Sequence, residues 1–326
     1  MGSSFDDAVD AAVAALRRGE AIGLPTETVY GLAADAENPA AVRRVFALKG
    51  RPADHPLIVH LPGADAVDGW ARTVPAAARR LMQAFWPGPL TLILPRGPRA
   101  SDVVTGGQDT VGLRVPAHPL AQTVLQRLGG GLAAPSANRF GRTSPTTAQH
   151  VRDEFGDAVP VVLDGGECDV GIESTIVDCS GERVRVLRPG MITVAALEAV
   201  LGEAVESTAR ADSPRVPGAL AAHYAPRTPM RLLPRDALDH TWRSQPDPGA
   251  VRVLAVAALP ASAQGIALPD DARGYAHGLY AALRALDAAG AALLLVERPP
   301  EGGEWAAVHD RLGRAAVGAA APPGPV

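Results

Sequence analysis

With 326 residues, of which 47% are hydrophobic and 20% are charged, the chain is long enough to bury one large core or two ordinary ones. Its formal net charge of -4 argues against a broad basic surface for nucleic acid and favours a small anionic ligand in a local basic cleft. No apolar run approaches the length of a membrane span, and acidic residues near the N-terminus exclude a secretory signal, so we expect a cytoplasmic protein without membrane contact.

The first two thirds of the chain alternate predicted strands with predicted helices. The stretch AIGL predicts a strand, and Asn38 followed by Pro39 predicts the cap and first turn of a helix that ends at Gly50. The order of the elements predicts an α/β domain over residues 1–203. Further strands are predicted at PLIVHL, LTLILP, VGLRVP, GLAAP, VVLD, STIVDC and RVRVLRP, and further helices at PAAARRLMQAFWPG, PLAQTVLQRL, TVAALEAVL and TTAQHVRDEF, the last opened by Ser144 and Pro145.

The periodicity stops over residues 204–228, which are rich in proline, serine and small residues and predict a linker. Its part RVPGALAAHY combines prolines, an apolar centre, a histidine and a tyrosine, so we expect a lid over the site rather than a passive spacer. Beyond it, RVLAVAAL and AALLLVERP predict strands on either side of the helix YAHGLYAALRALDAAG. These predict a second, smaller α/β domain over 229–326, with a frayed tail at AAVGAAAPPGPV.

Polar clusters follow several predicted strands, at the positions where open α/β sheets commonly bind ligands. PTETVYG follows the first strand and APSANRFGRTSP follows GLAA. Lys49, the only lysine of the chain, lies two residues before Arg51, and the two cations suit different oxygens of a polyphosphate. The alternatives are a solvated helix end for Lys49, turn chemistry for Ser136 and Asn138, and a structural role for His60 at a strand end.

Common nucleotide and metal motifs do not occur in the sequence. There is no G-x-x-x-x-G-K-[ST] loop and no G-x-G-x-x-G fingerprint, and no catalytic triad can be derived from spacing. Cys168 and Cys179 lack metal-ligand spacing and are expected to be reduced thiols. The residues alone therefore predict an α/β protein with a cleft of cations and hydroxyls for an anionic ligand.

Eight motifs occur in order along the first part: PTETVYGL, KGRP, PLIVH, FWPGPLTLIL, VGLRVP, APSAN, GIESTIVD and RPG. Together they resemble the L-threonylcarbamoyl-AMP synthases, whose catalytic part is the YrdC-type domain. HYAP, GLYAALRALD, LLLVERPP and DRLGRAA resemble the longer, two-domain branch of that family. The resemblance covers nearly the whole chain. It implies an α/β fold with a YrdC-like twisted mixed β-sheet and flanking helices, followed by a smaller Rossmann-like α/β domain.

The resemblance also implies a nucleotidyltransferase reaction. L-Threonine and bicarbonate give an N-carboxylated threonine, whose new carboxylate attacks the α-phosphorus of ATP, releases pyrophosphate and leaves threonylcarbamoyl-AMP. Mg²⁺ would accompany ATP. The product would serve the N6-threonylcarbamoyladenosine modification of tRNA by diffusing to a separate tRNA threonylcarbamoyl transferase complex, and any direct binding of tRNA should be weak.

Motif matching assigns the site residues to two groups. Glu27 and Tyr30 are expected in the pocket wall, Lys49 and Arg51 as the catalytic residues, and no residue as a direct metal ligand. His55 stands where the family usually has asparagine, so ATP binding is expected to depend more strongly on pH. The threonine pocket is assigned Thr28, His60, Arg114, Ser174 and the backbone of Ala134. The ATP side is assigned Lys49, Arg51, His55, Thr110, Ser136, Asn138, Ser144, Arg188 and Tyr224.

Three other functions remain open at this point. A hydrogenase-maturation carbamoyltransferase contains a similar domain, but it would add an acylphosphatase-like part and cysteine-rich zinc motifs that this sequence does not contain. A non-catalytic RNA-binding module would bind in a strongly salt-dependent way and consume no ATP. A purely structural protein would not need the polar cleft.

Overall fold

The computed structural model describes residues 2–207, 210 and 212–320. The chain divides into two compact units. The first comprises the chain up to Phe140 together with Pro145–Asp169 and Glu173–Ala219. The second comprises Gly141–Ser144, Val170–Ile172 and the chain from Leu220 onward. Two short segments of the earlier sequence therefore belong to the second unit.

The strands of the first unit form one mixed sheet, as the resemblance implies. In the described residues these strands are β1 (Ile22–Leu24), β2 (Gly31–Asp35), β3 (Ile58–His60), β4 (Leu90–Pro95), β5 (Thr110–Arg114), β6 (Leu132–Ala133), β7 (Thr175–Asp178) and β8 (Arg185–Arg188). Their order is β1-β2-β6-β3-β5-β4-β7-β8. The pairs β3–β5 and β4–β7 are parallel, and the other neighbours are antiparallel.

The helices of the first unit bury apolar faces against this sheet. The Asn38 side chain accepts the N–H groups of Ala40 and Ala41, and Gly50 ends the same helix with a φ of 61°, which confirms the predicted cap and stop. Val42 and Phe46 of this helix lie in the main core. The helices are α1 (Gly2–Arg17), α2 (Pro39–Lys49), α3 (Ala76–Phe85), α4 (Asp102–Thr105), α5 (Pro119–Leu128), α6 (Ala148–Phe155) and α7 (Val194–Leu201).

The start of α6 and the strand expected at VVLD differ from the sequence prediction. The helix begins at Ala148 because Thr147, rather than Ser144, is its N-cap: the Thr147 hydroxyl accepts the N–H of His150. The carbonyl of Pro145 instead accepts the N–H of Tyr30 at 2.9 Å. VVLD forms no strand: its pairing is limited to an isolated bridge with Gly23.

The described residues of 204–219 belong to the first unit. Val205 lies in the main core, and Glu206 pairs with Arg185 at 2.7 Å beside β8. Further along, the N–H of Arg215 donates to the side chain of Gln108 at 2.7 Å, and the Gln108 amide donates back to the Arg215 carbonyl. We refer to Glu206–Pro217 as the strap; Thr208, Ala209 and Ala211 lie outside the described residues.

The second unit is a separate α/β structure with an all-parallel sheet. Its strands are β9 (Met230–Leu233), β10 (Val251–Val256), β11 (Gly265–Leu268) and β12 (Leu293–Glu297), in the order β11-β10-β12-β9. Its helices are α8 (Arg235–Arg243), α9 (Ala272–Ala288) and α10 (Ala306–Ala320). Leu279, Leu283 and Leu286 are buried on one face of α9, as predicted.

Sequence reasoning missed β9, α8 and β11. The expected fraying is wrong for the part of the tail that α10 contains, up to Ala320, and the rest of that tail lies outside the described residues. Within the described part of the chain, no helix is both long and apolar enough to span a membrane.

Candidate active site

A buried hydrogen-bond network joins the PTET segment (Pro25–Thr28) to Arg114 at the end of β5. Arg114 donates to the Glu27 carboxylate at 2.6 Å and to the Thr28 hydroxyl at 2.8 Å, and its Nε donates to the carbonyl of Gly88. The second Glu27 oxygen accepts the N–H of Ala117 at 3.0 Å. The Arg114 and Glu27 side chains are only 5% and 8% exposed, so their opposite charges neutralise each other in a medium of low dielectric.

His60 lies beside this network because β3 and β5 pair in parallel with His60 opposite Arg114. The side chain is buried and its Nδ1 atom has no hydrogen-bond partner. Burial, and secondly the positive charge of Arg114, lower the pKa of His60 to about 3. The imidazole is therefore neutral at physiological pH, with one buried nitrogen available to a ligand.

Ser174 and Arg188 form the next part of the same sheet. The Ser174 hydroxyl lies 2.8 Å from the Thr91 hydroxyl, and Arg188 donates to the carbonyl of Ser174 at 2.9 Å. Arg188 also donates to the carbonyl of Pro217 in the strap at 3.0 Å. Sequence reasoning missed Thr91, although a single hydroxyl within the apolar run LTLIL was the available signal.

The strap covers an apolar patch beside these polar groups. Val216 packs in one cluster with Ile58, Ile93 and Ile176. Because side chains alternate along a strand, Ile58 shares its sheet face with His60, and Ile93 shares its face with Thr91. The strap therefore packs on the sheet face that carries the predicted threonine pocket.

Lys49 is buried rather than exposed at its helix end. Its Nζ donates to the carbonyls of Ser136 and Asn138, and its own carbonyl accepts the N–H of Phe140 at 2.8 Å. Burial, and secondly the charge of Arg51, lower the pKa of Lys49 well below its usual value. Lys49 thus fixes the SAN loop (Ser136–Asn138) to the end of α2, which excludes the alternative of a solvated helix terminus.

Two carboxylates act on Lys49 that sequence reasoning did not place near it. The charges of Glu154 and Glu173 oppose the lowering of its pKa. Glu154 also accepts the N–H of Arg139 at 2.9 Å, next to the SAN loop.

Arg51 and His55 pack around the ring of Phe140. The Arg51 guanidinium lies 5.7 Å from the ring centroid and His55 meets the ring edge-on at 5.4 Å. Arg51 also donates to the carbonyl of Pro56 at 3.0 Å. Burial, and secondly the positive charge of Arg51, lower the pKa of His55. Any effect of His55 on pH dependence is therefore expected below pH 6.5.

The remaining predicted residues are divided between the two units. Ala134 directly follows β6, and its N–H donates to the carbonyl of Ile58 at 3.2 Å. Thr110 opens β5 and is partly exposed. Asn138 is buried and donates to the carbonyl of Arg139 at 2.7 Å. Ser144 and Tyr224 belong to the second unit, where they are buried.

Tyr30 connects the PTETVYG segment to the glycine-rich GGE loop. Its hydroxyl donates to the carbonyl of Gly166 at 2.8 Å and accepts the N–H of Gly165 at 3.0 Å. Burial raises the pKa of Tyr30 to about 12, so the phenol stays protonated. Tyr30 therefore stabilises the wall behind Thr28. In the described residues no cluster of three or more histidine, cysteine or acidic side chains could hold a metal ion.

Two protein-family models match this chain, and together they include all the predicted site residues. The family described as Telomere recombination (Sua5, YciO, YrdC) matches residues 14–190. The family described as Threonylcarbamoyl-AMP synthase, C-terminal domain matches residues 192–317.

Several relatives are named threonylcarbamoyl-AMP synthase. The threonylcarbamoyl-AMP synthase of Pyrococcus abyssi is 37% identical over 92% of this chain and 91% of its own. That of Bacillus subtilis is 37% identical over 97% of this chain and 95% of its own. A shorter one, from Halorhodospira halophila, is 39% identical over 47% of this chain and 81% of its own. The crystal structure of P. abyssi Sua5 complexed with L-threonine matches with a TM-score of 0.89 at 35% identity, over 95% of this chain and 94% of that one.

Proposed function

The chain belongs to the threonylcarbamoyl-AMP synthase family, and we propose a division of that synthesis among its residues. The enzyme is a nucleotidyltransferase that uses L-threonine and ATP. The observation that carries the assignment of residues is the buried network of Arg114, Glu27 and Thr28 beside the neutral His60. Such a site offers hydrogen bonds and charge to a zwitterionic amino acid, and the site itself needs no protein nucleophile.

L-Threonine binds on the sheet face between Thr28 and Ser174. Arg114 receives the carboxylate, while Glu27 holds the guanidinium in place. The Nδ1 of His60, which has no hydrogen-bond partner among the described residues, forms a hydrogen bond with the substrate's hydroxyl or amine, and the imidazole stays neutral. Ser174 and the backbone of Ala134 complete the pocket. These hydroxyl and carbonyl contacts favour threonine over amino acids without a side-chain hydroxyl, because such an analogue leaves buried polar groups unpaired.

ATP enters as its Mg²⁺ complex and binds along the loops that follow β6 and α2. Lys49 and Arg51 bring positive charge close to the phosphates, and Lys49 also holds the SAN loop in shape. His55, Thr110, Ser136, Asn138 and Arg188 are proposed as further contacts. For Ser144 and Tyr224, which belong to the second unit, the proposal rests on the motif resemblance.

Bicarbonate supplies the carbamoyl carbon. The amine of threonine attacks this carbon, water leaves, and one oxygen of the resulting carbamate then attacks the α-phosphorus of ATP with departure of pyrophosphate. Both the carbamate and the mixed anhydride are sensitive to water. We therefore assign the lid function to residues 204–228, supported by the packing of Val216 and Pro217 on the first unit.

The three-part division of the chain is also part of this proposal. A catalytic domain occupies residues 1–203, a linker and lid 204–228, and a second domain 229–326. The product leaves by diffusion to a tRNA threonylcarbamoyl transferase complex in the cytoplasm, with at most weak direct tRNA binding.

The test is the identity of the product made by the full chain. With ¹³C-bicarbonate, L-threonine and ATP, the mass of threonylcarbamoyl-AMP should rise by the single heavy carbon. An unlabelled adenylate, or threonyl-AMP without the carbamoyl group, would refute bicarbonate as the carbon source.

A further inference from the structure

The motif DRLGRAA, which the proposed reaction does not use, forms the middle of α10. Arg311 is fully buried there, although its neighbours on the buried face are Ala307, Val308, Leu312 and Ala315. Asp310 lies 2.6 Å from the guanidinium of Arg311. Even when it is paired, a buried arginine costs desolvation energy, and an apolar side chain of similar volume would often stabilise such a helix as well or better. The retained charge therefore indicates a specific partner.

The partner is the end of the linker. The Arg311 guanidinium lies 5.2 Å from the centroid of the Tyr224 ring. The ring of Tyr224 also packs against the ring of His223 at 4.2 Å and that of Tyr280 at 5.8 Å. All these residues belong to the second unit.

A second arginine of the same motif fixes the adjoining backbone. Arg314 donates through Nε to Asp310 at 2.9 Å and through another nitrogen to the carbonyl of Leu220. Its carbonyl accepts the N–H of His223 at 3.3 Å. Asp310 thus aligns two arginines, one on the ring of Tyr224 and one on the backbone before it.

Tyr224 needs such support because its backbone has a φ of 62°, in the left-handed region that non-glycine residues rarely adopt. A residue in this conformation persists only where its surroundings determine it. The Tyr224 hydroxyl is placed by the ring and the backbone together. Loss of either support would allow the segment Leu220–Ala225 to relax to an ordinary conformation.

We propose that Arg311 is a positioning residue for the synthase reaction: it holds Tyr224, through its ring, in the one conformation that the lid uses. This inference rests on the proposed function, since it assigns a role to Arg311 only through Tyr224. Arg311 itself contacts no substrate. Its contribution should therefore disappear when the ring of Tyr224 is removed.

The experiment is a double-mutant cycle in the full chain, with pyrophosphate release measured at varied ATP. The variants are Arg311→Met, which keeps an unbranched side chain but removes the guanidinium, Tyr224→Ala, and the two combined. We expect each single variant to lower kcat/KM for ATP about tenfold and the combined variant to lower it no further than Tyr224→Ala alone. Arg311→Lys, which keeps a cation near the ring, should recover part of the activity.

Arg235→Met is the matched control, because Arg235 pairs with Glu297 in the same unit, at 2.9 Å, and donates to the carbonyl of Ala258 rather than to Leu220–Ala225. It should keep wild-type kcat/KM. If Arg311→Met does not fold, as judged by thermal unfolding, Arg311→Lys decides by the same cycle.

The outcomes distinguish the positioning role of Arg311 from the lid role of Tyr224. Wild-type activity of Arg311→Met beside an impaired Tyr224→Ala, or losses that simply multiply in the combined variant, would overturn the positioning role and leave the lid intact. Full activity of Tyr224→Ala would overturn both. Absence of pyrophosphate release from the wild-type chain would refute the proposed function itself.

Discussion

At the scale of single residues, the pair of Glu27 and Arg114 decides how a threonine pocket can be built on a buried sheet face. Arg114 alone would be an unneutralised charge, whereas the Glu27 carboxylate 2.6 Å away makes the pair neutral and fixes the direction of the guanidinium. If Arg114 binds the substrate's carboxylate as proposed, that carboxylate meets a cation that is already oriented. Sequence reasoning placed Glu27 in the pocket wall, but it gave no reason for a carboxylate there.

Replacing Glu27 by glutamine removes the negative charge beside Arg114 but keeps a side chain that can still hydrogen-bond to the guanidinium. Breaking a buried pair leaves its partner uncompensated, so we expect the free energy of unfolding to fall by about 3 kcal/mol. We also expect KM for L-threonine to rise about tenfold while KM for ATP stays within about twofold. Urea unfolding and initial rates measure the two effects. A lower KM for threonine would show instead that Glu27 competes with the substrate for Arg114.

Glu20→Gln is the control for Glu27→Gln, since the pair of Arg18 and Glu20 has the same chemistry at the surface. Exposed pairs contribute little, so this variant should leave both the urea midpoint and the two KM values unchanged.

Lys49→Arg tests whether a compact ammonium is required. The Nζ atom donates to two loop carbonyls in a fully enclosed position, and a planar guanidinium is too large for it. We expect the rate of pyrophosphate release to fall about 100-fold or more. Normal activity would mean that any cation at this position suffices.

The burial of His60 predicts a pH dependence of stability. Its pKa is about 3 in the folded chain and near 6.5 when unfolded, so between these values the unfolded state binds the extra proton and stability falls as the pH falls. Below pH 6.5 the free energy of unfolding of the wild type should decrease more steeply than that of His60→Gln, by up to about 1.4 kcal/mol per pH unit. His240→Gln, at an exposed position, should keep the wild-type slope. Parallel slopes for wild type and His60→Gln would contradict the burial of a neutral His60.

At the scale of elements, sequence reasoning succeeded where the signal is local. The cap at Asn38 and the stop at Gly50 depend on residues within one turn, and both were predicted. The start of α6 was not, because the carbonyl of Pro145 is taken by Tyr30, which is distant in the sequence. For the candidate site, motif matching assigned Arg114 to the threonine pocket and Glu27 to its wall, but sequence reasoning predicted neither the hydrogen bond between them nor that between Thr91 and Ser174.

The packing of the strap on the sheet predicts the effect of a substitution at Val216. Val216 is 7% exposed and covers three isoleucines of the sheet face, so Val216→Ser removes apolar contact and admits water beside the pocket. We expect more ATP to be consumed per molecule of threonylcarbamoyl-AMP formed, with a loss of stability of about 1 to 2 kcal/mol. Product and pyrophosphate are quantified together. Val317→Ser, at a position that is 52% exposed, is the control and should keep the wild-type ratio.

At the scale of the whole molecule, the contacts of residues 204–219 change where the chain can be divided. A cut after Leu201 would remove Val205 from the main core, whereas a cut after Ala219 follows the boundary of the first unit. We expect the fragment ending at Ala219 to unfold cooperatively, but to form threonylcarbamoyl-AMP at least about tenfold more slowly than the full chain, because Tyr224 is absent. If this fragment formed the product as fast as the full chain, the second unit would not contribute to the reaction.

The most direct test of the central claim is the release of pyrophosphate from ATP by the full chain, with L-threonine and bicarbonate added separately and together. Because the attacking carboxylate exists only after both have combined, we predict rapid release when both are present and only background release when either is omitted. Arg114→Ala should raise the threonine concentration needed for half-maximal release and leave that for ATP nearly unchanged. Release that is independent of threonine, or absent under every combination, would contradict the assignment.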